Sequence, residues 1–137
     1  FQQDNLIQVL NVKENIELPL KLDNVKIDKN YIEDLMKLLG IEGRKGHLPN
    51  QLSGGQQQRV AIARALAAKP SIILADEPTG NLDSKTTEEV MDLMKKSIKK
   101  YNQTLIMITH NNEIAKKADR VLLIIDGKLK DLNQEER

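Results

Sequence analysis

The sequence predicts an α/β fold in which a mainly parallel sheet follows a helical segment. Three short apolar runs lie in the second half of the chain, at residues 72–74, 105–108 and 121–125. Continuous apolar runs are typical of strands that are covered on both faces, as in parallel sheets. Helical patterns lie between these runs, which gives the order strand, helix, strand, helix, strand. This alternation predicts parallel strands joined by helices.

Length and composition favour one folded domain and exclude several classes of protein. The chain has 137 residues, 39% of them apolar, which is enough for a single core. It has 21 basic and 20 acidic residues and a net charge of +1, so we expect no nucleic-acid partner. The absence of cysteine excludes disulfides and thiolate metal sites. No apolar run approaches the roughly 20 residues that span a bilayer.

The first half of the chain has a helical pattern over residues 12–39. Asp28 is placed to cap a helix whose apolar residues recur at positions i, i+3, i+4 and i+7. Gly40 stands where a C-cap glycine belongs. Pro19 is expected to end or kink the preceding helix. A polar loop is then expected over residues 41–51.

The elements after this loop follow from local signals. A helix that begins at Ser53 is apolar on several faces, which predicts a buried helix. The next helix is expected over residues 84–101, with charges at i, i+4 spacing on a solvated face. A short helix is expected over residues 111–118, and Asp126-Gly127 predicts a hairpin turn after the third strand.

One segment at the start of the buried helix has the features of a phosphate-binding site. Ser53, Gly54, Gly55 and Gln56 stand where the helix begins. Free N–H groups at a helix N-terminus attract phosphate, and glycine lets a ligand approach the backbone closely. By itself such a segment is more often a plain loop with a helix cap.

Titratable residues follow two of the predicted strands. Asp76 and Glu77 leave the carboxyl end of the first strand, where open α/β sheets bind ligands. Asp76 is suited to hold Mg²⁺, and Glu77 to polarise an attacking water. Two solvated acids opening a turn are an equally good interpretation. His110 follows the second strand, although a lone histidine is more often structural, and Asp83 by itself would be a turn and helix-cap residue.

Taken together, these segments carry a resemblance to a known family. Residues 52–66, LSGGQQQRVAIARAL, resemble the signature segment of ATP-binding cassette (ABC) ATPases. Residues 72–83, IILADEPTGNLD, resemble their Walker B strand, catalytic glutamate and D-loop, and residues 108–110 resemble their H-loop. The segment around Gln2 is similar to the Q-loop. The sequence EPTGNLD, residues 77–83, most resembles that of the ATPase subunits of the lipoprotein-releasing, macrolide-export and antimicrobial-peptide-resistance group.

The resemblance implies an α/β fold with a partial P-loop NTPase core of the ABC/RecA-like type, preceded by the ABC helical subdomain. Residues 1–52 would form the Q-loop and helical subdomain. Residues 53–137 would form the signature helix, Walker B, D-loop, H-loop and C-terminal hairpin of the core. The sequence contains no GxxxxGK[ST], the Walker A loop that seats the β- and γ-phosphates in the family. We therefore expect a C-terminal fragment of one ABC domain, inactive by itself.

The resemblance also implies roles for individual residues, with ATP and Mg²⁺ bound between two head-to-tail ATPase subunits. Glu77 and His110 would be catalytic, and Asp76 and Gln2 would bind the metal. Asp83 would lie at the dimer interface. ATP would be bound by Ser53, Gly54, Gly55 and Gln56.

The function implied is that of an ATP-hydrolysing subunit that drives transport across a membrane, in export or in lipoprotein or peptide handling. Its expected partners are a second ATPase subunit and a transmembrane permease, and its expected location is cytoplasmic, at the inner face of the cell membrane. Two alternatives remain open. One is a soluble ABC-type ATPase acting on nucleic acid or ribosomes, and the other is a truncated, non-catalytic binding module.

Overall fold

The computed structural model describes residues 5–133 of the chain. The helices and strands of this part follow one another in the order α1 Val12–Leu22, α2 Lys29–Leu38, α3 Gly54–Ala67, β1 Ile72–Asp76, α4 Ser84–Lys100, β2 Thr104–Ile108, α5 Asn112–Ala115, β3 Leu122–Ile125 and β4 Lys128–Asp131. Two short 3-10 turns, Glu42–Arg44 and Pro49–Gln51, lie in the loop between α2 and α3. Within residues 5–133, no helix is long and apolar enough to cross a membrane.

The strands form one parallel pair and one hairpin. β1 and β2 pair in parallel, with Ile72 opposite Thr104 and Asp76 opposite Ile108. β3 and β4 pair antiparallel through the predicted turn, where Asp126 and Gly127 have φ of +49° and +74°. Positive φ at both central residues suits the twist of a two-residue hairpin. Among the described residues β3 pairs with β4 and not with the parallel pair.

One face of the parallel pair is exposed, which corrects the prediction of strands covered on both faces. Side chains on this face are 53–67% exposed: Ile72, Leu74, Ile106 and Ile108. The alternate residues, such as Ile73 and Met107, pack against the core. β3 is exposed along its whole length. The helices of the described residues cover only one side of β1 and β2, and an apolar run does not reveal which element covers each face.

The core surrounds α3, which contacts α1, α2 and α4. Val60, Ala63 and Leu66 of α3 are at most 1% exposed. Burying an aliphatic side chain of this kind contributes roughly 1.5–3 kcal/mol to stability. The prediction that this helix is buried on several faces is confirmed, because helices pack on three sides of it.

Caps of α2 match their sequence signals. The Asp28 carboxylate accepts a hydrogen bond from the Tyr31 N–H at 3.1 Å, which satisfies an N–H at the start of the helix. Gly40 follows the end of α2 with φ of +69°, a left-handed conformation that glycine adopts without penalty.

Pro19 does not end the first helix, contrary to one of the two outcomes expected for it. It lies inside α1, which continues to Leu22. A proline inside a helix removes one N–H bond and costs about 3 kcal/mol. Ile16 and Leu20, on either side of Pro19, are buried in the core and offset this cost by packing.

Asn15 joins α1 to the loop of residues 5–11. Its side chain is fully buried. Its Oδ1 accepts from the Ile7 N–H at 2.8 Å, and its Nδ2 donates to the carbonyls of Ile7, Leu10 and Asn11 at 3.1, 2.9 and 3.1 Å. One amide thus satisfies four backbone groups of a loop that forms neither helix nor sheet.

We expect Asn15→Asp to lower the free energy of unfolding by about 3 kcal/mol or more, because a carboxylate cannot donate to the loop carbonyls and would bury a charge. Urea unfolding of the 137-residue chain measures this change. The matched control is Asn11→Asp, which should stay within about 0.5 kcal/mol of the parent because aspartate caps a helix as well as asparagine does. Equal losses in the two variants would contradict the assigned role of Asn15.

Candidate functional site

Glu77 stands at the point where β1 ends, in a strained backbone conformation. Its φ is +44°, which a residue with a side chain adopts at a cost of roughly 1–2 kcal/mol. Its N–H donates to the Ile108 carbonyl at 2.9 Å and so adds one bond to the β1–β2 ladder. The chain therefore turns while still tied to β2, and the Glu77 side chain lies against the residues that follow β2.

The Glu77 carboxylate is bound by the chain that leaves β2. Its Oε1 accepts from the backbone N–H of His110 at 2.7 Å and lies 3.5 Å from Nε2 of the His110 imidazole. The Thr109 hydroxyl reaches Oε2 at 3.5 Å. The Glu77 side chain is 17% exposed, whereas that of His110 is 94% exposed. The structure thus brings the two predicted catalytic residues together.

Asp76, the predicted metal ligand, is the last residue of β1 and is exposed. Mg²⁺ is commonly held by one or two carboxylates together with phosphate oxygens and water. Among residues 5–133, no group of three or more His, Cys, Asp or Glu residues could hold a metal ion. The donor set of this part therefore fits Mg²⁺ only if other ligands complete the shell. Gln2, the second predicted ligand, lies outside the described residues.

The start of α3 is closed by a reciprocal cap. Ser53 Oγ accepts from the Gln56 N–H at 3.2 Å, and Gln56 Oε1 accepts from the Ser53 N–H at 2.9 Å. Gly54 and Gly55 occupy the first two helical positions, whose N–H groups have no acceptor within the helix. The positive end of the helix dipole and these N–H groups fit an anion such as phosphate.

The two glycines of this segment differ in their surroundings. A Cβ on exposed Gly54 would lie 3.5 Å from the Leu82 side chain, an ordinary contact. A Cβ on buried Gly55 would lie 2.4 Å from Cγ2 of Thr86, a distance so short that Thr86 would have to move. The sequence suggested that both glycines leave space for a ligand. In the structure, glycine at position 55 allows the close packing of α3 on Thr86 of α4.

Asp83 is the N-cap of α4. Its carboxylate accepts from the Thr86 N–H at 3.0 Å. Hydrogen bonds from the Thr86 side chain and backbone, with a smaller effect of Lys85, hold the pKa of Asp83 below its ordinary value. The carboxylate is exposed and ionised at neutral pH, and its predicted contact with a second subunit stays a prediction.

Sequence reasoning missed two residues that position these segments, Thr86 and Arg59. Arg59 Nη2 lies 3.0 Å from Oε2 of Glu89 on α4, and the Arg59 side chain is only 20% exposed. Its Nη1 also lies beside Gly40, where a Cβ would come within 3.3 Å. The sequence carries no specific signal for this pair, because only the packing of α3 on α4 brings Arg59 close to Glu89.

Comparison with known proteins gives a family and related sequences. The profile of the family described as "ABC transporter" matches residues 1–80. The chain is 49% identical over 133 residues to the uncharacterized ABC transporter ATP-binding protein MJ1508 of Methanocaldococcus jannaschii, covering 94% of this chain and 58% of that protein. It is 45% identical over 129 residues to the lipoprotein-releasing system ATP-binding protein LolD of Cytophaga hutchinsonii, covering 93% and 59%. The chain thus spans less than two thirds of these relatives.

Solved structures of an ABC transporter cassette have the same fold. The dimeric structure of MJ0796 matches with a TM-score of 0.78 and 44% identity, over 96% of this chain and 61% of that chain. A post-hydrolysis state of MJ0796 bound to ADP and Pi matches with a TM-score of 0.76 and 43% identity. The α/β architecture described above is therefore that of a large part of an ABC cassette.

The bond between Glu77 and the His110 N–H can be tested by amide exchange. We expect Glu77→Ala to speed hydrogen exchange at the His110 amide by roughly tenfold or more, because the variant removes the acceptor of that amide. Two-dimensional NMR after transfer to D₂O measures the rate.

His110→Ala is the control, since it removes the imidazole and keeps the backbone N–H. In this variant the backbone amide of residue 110 should stay protected from hydrogen exchange. Unchanged exchange in Glu77→Ala would contradict the assigned bond.

Proposed function

This chain belongs to the ABC transporter family, and we propose that it supplies the signature, Walker B and H-loop part of an ATP-hydrolysing transporter subunit. The observation that carries the proposal is that Glu77 and His110 lie side by side at the carboxyl ends of two parallel strands. Glu77 directly follows Asp76, the last residue of β1. That edge is where open α/β sheets bind ligands. Residues 1–52 would form the Q-loop and helical subdomain, and residues 53–137 part of the RecA-like core.

Glu77 would be the general base for the attacking water. Its two oxygens differ, since Oε1 is engaged by the His110 N–H at 2.7 Å while Oε2 has only a 3.5 Å contact with Thr109. Oε2 therefore has the greater free capacity to accept the proton of water. The His110 imidazole, 94% exposed, would donate a hydrogen bond to the γ-phosphate. Asp76 and Gln2 would hold Mg²⁺, which neutralises charge on the phosphates.

The start of α3 would bind the γ-phosphate of ATP seated on a second subunit. The Ser53 hydroxyl and the N–H groups of Gly54 and Gly55 are the donors, and Gln56 holds Ser53 in place through the cap. The helix dipole adds about 0.3–2 kcal/mol to the binding of an anion there. Asp83, exposed at the start of α4, would contact the same second subunit in a head-to-tail pair.

A transmembrane permease would be the other partner, which would place the subunit at the cytoplasmic face of the membrane. The helical segment from α1 to α2 would receive the permease and pass on the closing of the ATPase pair. Similarity to LolD, whose name states lipoprotein release, supports export or lipoprotein or peptide handling as the process.

The proposed catalysis is tested in a longer protein that carries this chain after a segment with GxxxxGK[ST]. We expect ATP hydrolysis by that protein and a loss of roughly 10²–10⁴ in turnover for Glu77→Gln, because the amide cannot accept the proton of water. Phosphate release measures turnover, and equilibrium binding of ATP should be retained.

The matched control is Glu113→Gln, the same change at an exposed residue whose carboxylate pairs with Lys116. It should leave turnover near that of the parent. Turnover of Glu77→Gln within a few-fold of the parent would contradict the assignment of Glu77 as the general base.

The 137-residue chain by itself should bind MgATP too weakly to detect at millimolar nucleotide. The lysine and backbone loop that hold the β- and γ-phosphates in the family are not in its sequence. Isothermal titration calorimetry measures the binding, with Asp76→Ala as control. Saturable binding that Asp76→Ala abolishes would contradict this expectation and would mean that the retained residues form a site unaided.

A further inference from the structure

The starts of α3 and α4 meet at one close contact. Gly55, at the second position of α3, packs against Thr86, in the first turn of α4. The space that a Cβ of Gly55 would need is taken by Cγ2 of Thr86, at 2.4 Å. This contact therefore exists only because residue 55 is glycine.

The polar groups of Thr86 point to a different partner. Its N–H donates to Oδ1 of Asp83 at 3.0 Å. The Thr86 side chain also helps to lower the pKa of Asp83. Thr86 thus contacts Gly55, at the start of α3, through its methyl group, and Asp83 through its N–H. In addition, Leu82 lies beside Gly54.

A second link lies about one turn farther along both helices. Arg59 of α3 and Glu89 of α4 form an ion pair at 3.0 Å. Residues four apart on α3 and three apart on α4 lie on the same face of their helices. Two links one turn apart fix both the separation of the helix starts and their rotation.

We propose that Thr86 is a positioning residue that joins Gly55 to Asp83, so that the phosphate-facing start of α3 and the partner-facing start of α4 form one rigid unit. The contact itself needs no nucleotide. Its consequence for ATP rests on the proposed function: phosphate bound at α3 would also fix where Asp83 meets the second subunit.

The first test is the thermal unfolding of single and double variants of the 137-residue chain. We expect Gly55→Ala to lower Tm by about 4 °C or more, because its Cβ displaces Thr86. Thr86→Ser lacks the clashing methyl group and keeps the hydroxyl. Gly55→Ala combined with Thr86→Ser should therefore regain most of the lost Tm.

Gly54→Ala is the matched control, since it makes the same gain in helix propensity at the neighbouring position with a Cβ 3.5 Å from Leu82. It should not lower Tm. A parent-like Tm for Gly55→Ala, or a double variant no more stable than Gly55→Ala, would overturn the proposal.

The second test reads Asp83 directly, by NMR titration of its carboxyl. Hydrogen bonds from Thr86 lower the pKa of Asp83 in the parent, so displacing Thr86 in Gly55→Ala should raise it toward the ordinary value. The combined Gly55→Ala, Thr86→Ser variant should restore the low pKa. Lys85, whose positive charge also lowers the pKa of Asp83, is the same in every variant.

Thr86→Val gives a further variant, because it keeps the methyl packing and removes the hydroxyl. It should raise the pKa of Asp83 without disturbing Gly55, and it decides the question if Gly55→Ala does not fold. An Asp83 titration unmoved in Thr86→Val, or in a folded Gly55→Ala, would overturn the proposal. Neither test contains nucleotide, so failure here is distinct from failure of ATP hydrolysis in the longer protein.

Discussion

The burial of α3 between three helices is the constraint on which the rest of the structure depends. Its two ends are fixed by different helices. At its start, Gly55 packs on α4. At its end, the Leu66 carbonyl accepts a hydrogen bond at 2.8 Å from the hydroxyl of Tyr31 on α2. A shift of α3 would therefore disturb the helical segment and the α4 cap at once.

Tyr31 shows how closely the helical segment is joined to the remainder of the fold. Its ring meets that of Tyr101, just after α4, edge to face at 5.2 Å between centroids. The Lys69 ammonium lies 4.5 Å from the Tyr31 ring centroid. Burial, and to a lesser degree Tyr101, raises the pKa of Tyr31 to about 12, so its hydroxyl remains a donor to Leu66 throughout the neutral range.

Most of the elements were predictable because their signals are local. Asp28 before α2, Ser53 before α3 and the Asp126-Gly127 turn each act on neighbouring residues, and the structure uses all three as the sequence predicts. Contacts between distant residues were not predictable in the same way. Nothing near Gly55 indicates that Thr86 will occupy its Cβ position.

The same limit applies to the candidate site. Asp76, Glu77 and His110 could be placed at strand ends because parallel strands share a carboxyl edge. The bond from the His110 N–H to Glu77 could not be predicted, since it requires the left-handed turn at Glu77. Glutamate carries no local signal for such a turn. The exposed face of β1 and β2 escaped prediction for a related reason. The apolar run IILA of residues 72–75 indicates an apolar strand, and it does not indicate which element covers each face.

The left-handed backbone of Glu77 has a consequence for how this position responds to selection. Glycine or asparagine would adopt the same turn at lower cost. A chain selected for stability alone would therefore lose its carboxylate at residue 77. Under the proposed role of Glu77 as general base, glutamate at this position trades folding stability for chemistry, and substitutions chosen only for stability would remove the site while leaving the scaffold intact.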